Sequence, residues 1–442
     1  MRTRRLRAMR ESGISSCGKV VSIDAGKWYQ IRMAAYRERA ADRLIGNLLT
    51  ELPALLLVGP RATGKTTTAG RHAATTIRLD SPGDAVAFSA DPDSALRGLK
   101  EPILLDEWQA VPEVLGAVKR AVDAEPRPGR FLLTGSVHAD LEAETWPGTG
   151  RLVRVPLFGM TVAEQRGRAR SAPFLDRMAS GDDLAVPSDA PDLRGYVELA
   201  LQSGFPEAAL ALSEPVRARW IESYLDQLLT RDAAHVAGPR DPAKLRRYFE
   251  TYALSSAGLA DDKTLFETAG LNRKTALAYE QLLVNLMVID RTPAWTTNRL
   301  KRLVKSPKRY VTDAALLGGI LRLDANGILR EGDLLGRVLD TFVASQLRAE
   351  LPVSECRPRI YHLRQEQGRH EVDLLAEMSA ARVMAIEVKA GSAPRADAAQ
   401  HLIWLRDQLG DRFVRGLVLH TGPRTYKIDE RILAVPIATL WA

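Results

Sequence analysis

Cysteine is nearly absent from this 442-residue chain, with Cys17 and Cys356 its only two. That excludes a disulfide framework and any cysteine-rich zinc module, and it fits a reducing compartment, so a cytoplasmic protein is expected. Long apolar runs are also missing. Runs such as Pro53 to Val58 and Ile103 to Leu105 fall far below the ~18 residues a membrane span needs, so no membrane partner is expected. The first residues are basic, but no apolar run of signal-peptide length follows them, and a secretory leader is not expected. The seven histidines (His72, His138, His235, His362, His370, His401 and His420) lack metal-ligand spacing and read as structural or surface residues. Excess charge is scarce outside one segment. Of the net +8, residues 1–32 supply +6 from eight basic residues and two acids, which leaves about +2 for the rest. The high isoelectric point is therefore weak support for nucleic acid, because it belongs to a tail expected to be disordered.

What is present is the balance of a folded protein, 45% apolar and 26% charged, at a length that predicts two to four domains. From Ala34 to Leu52, apolar residues recur at helical spacing. Ala54 to Val58 then reads as a buried parallel strand leading into a Gly-rich turn. Short apolar runs at Thr76–Leu79, Ile103–Leu105, Phe131–Leu133 and Leu152–Val155 alternate with helical stretches, which argues a parallel α/β sheet. Residues 171–192 are rich in Ala, Ser, Asp and Pro and read as a connection. A helical region follows, and Gly238 to Pro242 reads as a linker.

Gly59-Pro60-Arg61-Ala62-Thr63-Gly64-Lys65-Thr66 fits the phosphate-binding pattern G-x-x-x-x-G-K-[ST] between a strand and a helix. Such a loop turns backbone N–H groups and a helix N-terminus towards phosphate. Lys65 would reach the β- and γ-phosphates, Thr66 would ligate Mg²⁺, and Thr67 extends the cradle. Forty-one residues after Lys65, the strand Ile103 to Leu105 runs into Asp106 and Glu107. Asp106 would hold the metal and Glu107 would be the general base. A third strand, Phe131 to Leu133, leads to Thr134, Gly135 and Ser136, where Ser136 could sense the γ-phosphate. Arg151, and after it Arg154, are candidates for an arginine finger supplied by a neighbouring subunit.

These residues carry a family resemblance. GPRATGKT (59–66), ILLDE (103–107), LLTGS (132–136), GR (150–151), VPLFGMTVAE (155–164), SGFPEAA (203–209), YLDQLLTRD (224–232), EVDLL (371–375) and AIEVK (385–389) make residues 34–442 resemble bacterial AAA-type ATPases that carry a C-terminal domain of unknown function. The resemblance implies ATP and Mg²⁺ as ligands. It also gives Gly204-Phe205-Pro206 the look of a GxP element, whose Pro206 would lie near the adenine. The expected organisation is α/β, with a basic tail (1–32), a P-loop ATPase core (33–170), a helical lid (171–238), a winged-helix-like domain (239–317) and a nuclease-like α/β domain (318–442).

Lys263 to Leu271 and Lys274 to Met287 read as two helices followed by a strand and a basic loop, the succession of a winged helix. Seven basic residues and no acid lie between Arg291 and Arg309, flanked by Trp295 and Tyr310. Arg299, Lys301, Arg302 and Lys305 are the expected contacts to DNA or RNA. Further on, Asp373 and the pair Glu387 and Lys389 lie on adjacent predicted strands, and alternation puts Glu387 and Lys389 on one face. They resemble the PD-(D/E)xK nuclease core, in which carboxylates hold Mg²⁺ or Mn²⁺. Asp340 stands on the preceding helix where that pattern usually has Glu, and Gln400 stands on the following one. The expectation is therefore a Mg²⁺-dependent ATPase, oligomeric and acting on or near nucleic acid. Two alternatives remain: a nucleotide-controlled assembly switch without catalysis, and an ATP-regulated effector nuclease.

Overall fold

Ala54 to Val58 form β1 (Ala54–Val58), buried on both faces as a continuous apolar run in the middle of a parallel sheet should be. The computed structural model describes residues 36–135, 150–181, 183–237, 240–298, 305–365 and 368–442. The basic tail lies outside the described residues. Parallel to β1 run β2 (Thr75–Arg78), β3 (Ile103–Asp106), β4 (Phe131–Gly135) and β5 (Val153–Pro156), in the order β2-β3-β4-β1-β5. Strand alternation sends Leu55 and Leu57 to one face, against Ala41 and Ile45 of α1 (Ala40–Leu49) and Ala69 of α2 (Lys65–Gly70). Leu56 and Val58 point the other way, into a core with Val114, Val118 and Val122 of α3 (Val114–Ala124). Each fully buried leucine contributes about 1.5–3 kcal/mol. The order matters for the site. Because β4 lies between β1 and β3, the ends of all three strands open onto one crevice at the carboxyl edge, where parallel α/β sheets bind ligands.

The Ala- and Ser-rich stretch expected to be a connection contains a helix, α4 (Phe174–Ser180), whose Phe174, Leu175 and Met178 are buried. The spacing i, i+1, i+4 is a helical face, concealed in the sequence by polar flanks. Next come α5 (Leu193–Gln202), α6 (Pro206–Ala211) and α7 (Glu214–Gln227), the last running into a π-helical turn over Leu228–Asp232. Then α8 (Pro242–Leu254), α9 (Asp262–Thr268) and α10 (Arg273–Asn285) are capped by the side chains of Asp241, Asp261 and Asn272. They precede an antiparallel pair, β6 (Ile289–Thr292) and β7 (Lys308–Val311).

Helix α11 (Ala314–Leu321) and the long α12 (Gly332–Glu350) lead to a second sheet. There β8 (Arg359–Gln365), β9 (His370–Glu377) and β10 (Val383–Val388) form an antiparallel meander. After α13 (Gln400–Leu409), β11 (Phe413–His420) joins parallel to β10. With β12 (Tyr426–Asp429) and β13 (Ile432–Pro436) the order is β12-β13-β11-β10-β9-β8. One hydrophobic core extends from Val162 to Trp441, and residues 37–442 form one compact unit. Among the described residues, no helix is long and apolar enough to cross a membrane.

Candidate functional site

The loop after β1 begins with a close approach: a Cβ on Gly59 would stand 2.0 Å from the Leu157 carbonyl oxygen, so only glycine fits there. From the first turn of α2, the buried Lys65 folds back and donates from Nζ to the carbonyls of Gly59 (3.0 Å) and Pro60 (2.8 Å). Burial pushes this lysine down to about 8. Thr66 Oγ1 donates to Asp106 Oδ1 at 2.7 Å, and the Thr134 hydroxyl donates to the same oxygen. A hydroxyl and a carboxylate in contact beside a phosphate-binding loop are the donor set Mg²⁺ takes in P-loop proteins, so the residues fit the ion. The strand-end hydroxyl that reaches this cluster is Thr134; Ser136 lies outside the described residues.

Glu107 follows Asp106 with φ of +52°, a left-handed conformation that a non-glycine residue rarely adopts. Its carboxylate accepts a hydrogen bond from Gln109 Nε2, so Gln109 belongs to the cluster. Two more residues that sequence reasoning missed hold the loop from outside. Arg39 donates to the carbonyls of Thr63 (3.0 Å) and Phe158 (2.8 Å), and its Nε stands 3.1 Å from Glu164 Oε2, with both side chains buried. Asp232, on the π-helical turn, pairs with Arg61 at 3.1 Å. Glu164 and Asp232 end two of the quoted motifs, which was their only signal.

Pro206 opens α6 beside the loop: a Cβ on Gly64 would meet its Cγ at 3.4 Å. The approach is possible because Gly204 packs directly on Gly159, where a Cβ would come within 2.9 Å of backbone. The buried Asp313 fixes this turn by accepting from Ser203 Oγ and Gly204 N, each at 2.8 Å. Next to Pro206, Phe205, Trp220 and Tyr224 form an aromatic cluster, with Trp220 and Tyr224 stacked at 5.4 Å. Arg151 is paired with Asp123 of α3, and Arg154 is exposed on β5.

The basic stretch differs from its sequence reading. Arg291 donates to Glu280 at 2.7 Å, and the buried Arg309 pairs with Asp262 and Glu280. Trp295 and Tyr310, expected to flank an exposed cluster, are core residues. Lys305 is exposed, while Arg299, Lys301 and Arg302 lie outside the described residues.

Lys308 is the residue that sequence reasoning misassigned. It is buried, and it brings Asp340 and Asp373 together by donating to Asp340 Oδ2 (2.6 Å) and Asp373 Oδ1 (2.9 Å). The other oxygens of the pair are also engaged, by Tyr310 Oη (3.0 Å) and Val388 N (2.9 Å). Glu387 Oε2 accepts from Lys389 Nζ at 3.1 Å, and Glu387 Oε1 is buried without a hydrogen-bond partner. Burial pushes Asp340 up to about 6. Burial would raise Asp373 too, but Lys308 and the Val388 N–H hold it below the usual range. Burial and the Asp373 charge raise Glu387 well above its usual range. Among the described residues, no group of three His, Cys, Asp or Glu side chains is arranged to hold a metal ion. With both Asp373 oxygens occupied, the expected second Mg²⁺ or Mn²⁺ at Asp373 and Glu387 does not fit this arrangement. Gln400 is exposed at the start of α13.

Residues 51–165 match the family model of an AAA domain, so this part of the chain is a P-loop ATPase core. Residues 193–327 and 335–440 match two domains of unknown function, DUF8612 and DUF4143. Uncharacterized protein Mb2031c of Mycobacterium bovis and Uncharacterized protein Rv2008c of Mycobacterium tuberculosis are each 30% identical to the chain over 410 residues, 91% of this chain and 84% of theirs. The chain belongs to the family of these mycobacterial proteins. The Walker-type ATPase PABY2304 of Pyrococcus abyssi is similar with a TM-score of 0.40 and 14% identity, over 65% of this chain and 96% of that one.

Proposed function

We propose that the chain is a Mg²⁺-dependent ATPase driven by Lys65, Thr66, Asp106 and Glu107. The observation that carries this reading is the 2.7 Å bond from Thr66 to Asp106, with Glu107 next in sequence at the mouth of the same crevice. Lys65 would exchange its two carbonyl acceptors for phosphate oxygens, while the loop N–H groups face the same charge. Thr66 and Asp106 would hold Mg²⁺, which neutralises phosphate charge when bound. Glu107 would take the proton of the attacking water. The aromatic cluster beside Pro206 offers a surface for the base.

One contact favours slow, switch-like turnover as a second reading. The Gln109 amide donates to Glu107 Oε2 and tethers the carboxylate, so turning this oxygen to the attacking water would first exchange that hydrogen bond. An arginine from a second copy of the chain would complete the site, with Arg151 first and Arg154 second, worth roughly 10³-fold. Arg151 would leave Asp123 to do so.

ATP turnover per chain, followed against protein concentration, tests both parts. Lys65→Ala should weaken nucleotide binding. Glu107→Gln should bind ATP but turn it over about 100-fold more slowly, or slower still. The parent's rate should rise with concentration. Undiminished turnover by Glu107→Gln moves the base elsewhere, and a concentration-independent rate in a monomer removes the trans arginine.

Helices α8 to α10 followed by β6 and β7 support a winged helix, and the succession α12, three antiparallel strands, α13 and a parallel β11 supports a nuclease-like fold. Action on nucleic acid would then fall to the loop around Lys305, since Arg291, Lys308 and Arg309 already have acidic partners.

A further inference from the structure

The C-terminal pocket contains the positive charge that its carboxylates call for, and that charge is an ammonium group. Lys308 comes from β7, outside the sheet that carries Asp373 and Glu387. Its side chain is 2% exposed and reaches both Asp340 and Asp373. Tyr310, two residues along and hence on the same face of β7, completes Asp340. One strand therefore supplies a cation and a hydroxyl to a pocket built by α12, β9 and β10.

A plain structural ion pair would account for Lys308 and one or two carboxylates. It does not account for Glu387, a third carboxylate buried nearby with one oxygen lacking any hydrogen-bond partner. Three acids (Asp340, Asp373 and Glu387) share two lysines (Lys308 and Lys389). Lys308 Nζ thus stands between two buried carboxylates, Asp340 and Asp373, that would otherwise call for a cation from solution.

We propose that Lys308 is the resident cation of this pocket: it locks the β6–β7 hairpin onto the C-terminal sheet and keeps divalent ions out. Withdrawing it leaves Asp340, Asp373 and Glu387 facing a vacant place that takes Mn²⁺ or Mg²⁺. The inference concerns a site remote in sequence from the P-loop and does not depend on ATP hydrolysis.

The test is Mn²⁺ uptake by the full chain without nucleotide, read by electron paramagnetic resonance of the free ion, together with thermal melting. The parent and Asp373→Asn should take up equal Mn²⁺ and melt without a metal-dependent shift that distinguishes them. Lys308→Met should take up one more ion per chain, with affinity in the weak-site range of roughly 10⁻⁴–10⁻³ M, and Mn²⁺ should raise its melting temperature. Adding Asp373→Asn to Lys308→Met should abolish both effects. Should Lys308→Met fail to fold, Lys308→Met with Asp340→Asn removes one charge of each sign and leaves Asp373 and Glu387 to take the ion. A parent that takes up one more Mn²⁺ than Asp373→Asn overturns the proposal. So does the absence of extra uptake in whichever Lys308 variant folds.

Discussion

Two buried lysines, one in the phosphate loop's helix and one on β7, are treated in opposite ways. Lys65 has carbonyl oxygens for partners, and burial leaves its charge poorly compensated, so it is pushed down to about 8. Burial also works to lower Lys308, but the carboxylates of Asp340 and Asp373 override it and raise the group well above the ordinary lysine range. The lesson is about completeness. A buried cation whose hydrogen bonds go only to carbonyl dipoles is held ready for an anion from outside, whereas one bonded to two carboxylates already has its counter-ions. The first arrangement is a binding site and the second is a fastening.

Melting without nucleotide should break the comparison most sharply. Lys308→Met leaves buried carboxylates without their counter-ion, a loss of about 3–5 kcal/mol, and should lower the melting temperature by about 5 °C. Lys65→Met removes a poorly compensated charge and should leave the melting temperature unchanged or raise it. Equal losses in the two variants would erase the distinction.

A smaller effect should appear with pH. In the free chain Lys65 releases its proton near 8, against an ordinary value near 10.5. The native state therefore binds fewer protons than the unfolded chain between those values, and this group makes stability rise with pH across that window. Phosphate would restore the ammonium form, so nucleotide binding above pH 8 must take up a proton. ATP affinity measured by calorimetry should be flat below pH 8 and fall by up to about tenfold per pH unit above it. Affinity independent of pH up to 9.5 would place the ammonium in an environment unlike the one described.

The smallest effect concerns a third lysine. Lys305 is exposed, and if it contacts a phosphate backbone, Lys305→Glu should reduce the log–log salt slope of nucleic-acid binding by about one unit. A salt slope unchanged by Lys305→Glu removes this lysine from the interface.

The three central strands, β1, β3 and β4, were legible because each is a continuous apolar run closed by residues of the phosphate site. Local spacing was enough to group Lys65, Thr66, Asp106 and Glu107. It was not enough for Lys308. Adjacent cations such as Lys308 and Arg309 look like a solvated loop, and they become interior only through acids contributed by residues 262, 280, 340 and 373. Spacing along a strand says which residues share a face, but not what that face will meet. Arg39 and Asp232 were missed for the same reason, since each meets the phosphate loop through a tertiary contact.

The apolar core that extends from Val162 to Trp441 bears on heredity. Leu316 and Leu317 of α11 and Leu339 and Val343 of α12 share that core with Leu374, Ile386 and Leu417 of the second sheet. A recombination event joining the chain near residue 330 to an unrelated partner would leave these side chains facing water. The regions on either side of that point are matched by different family models, yet each is half of one interior. A gene that acquired either region alone would encode a protein with an exposed apolar wall.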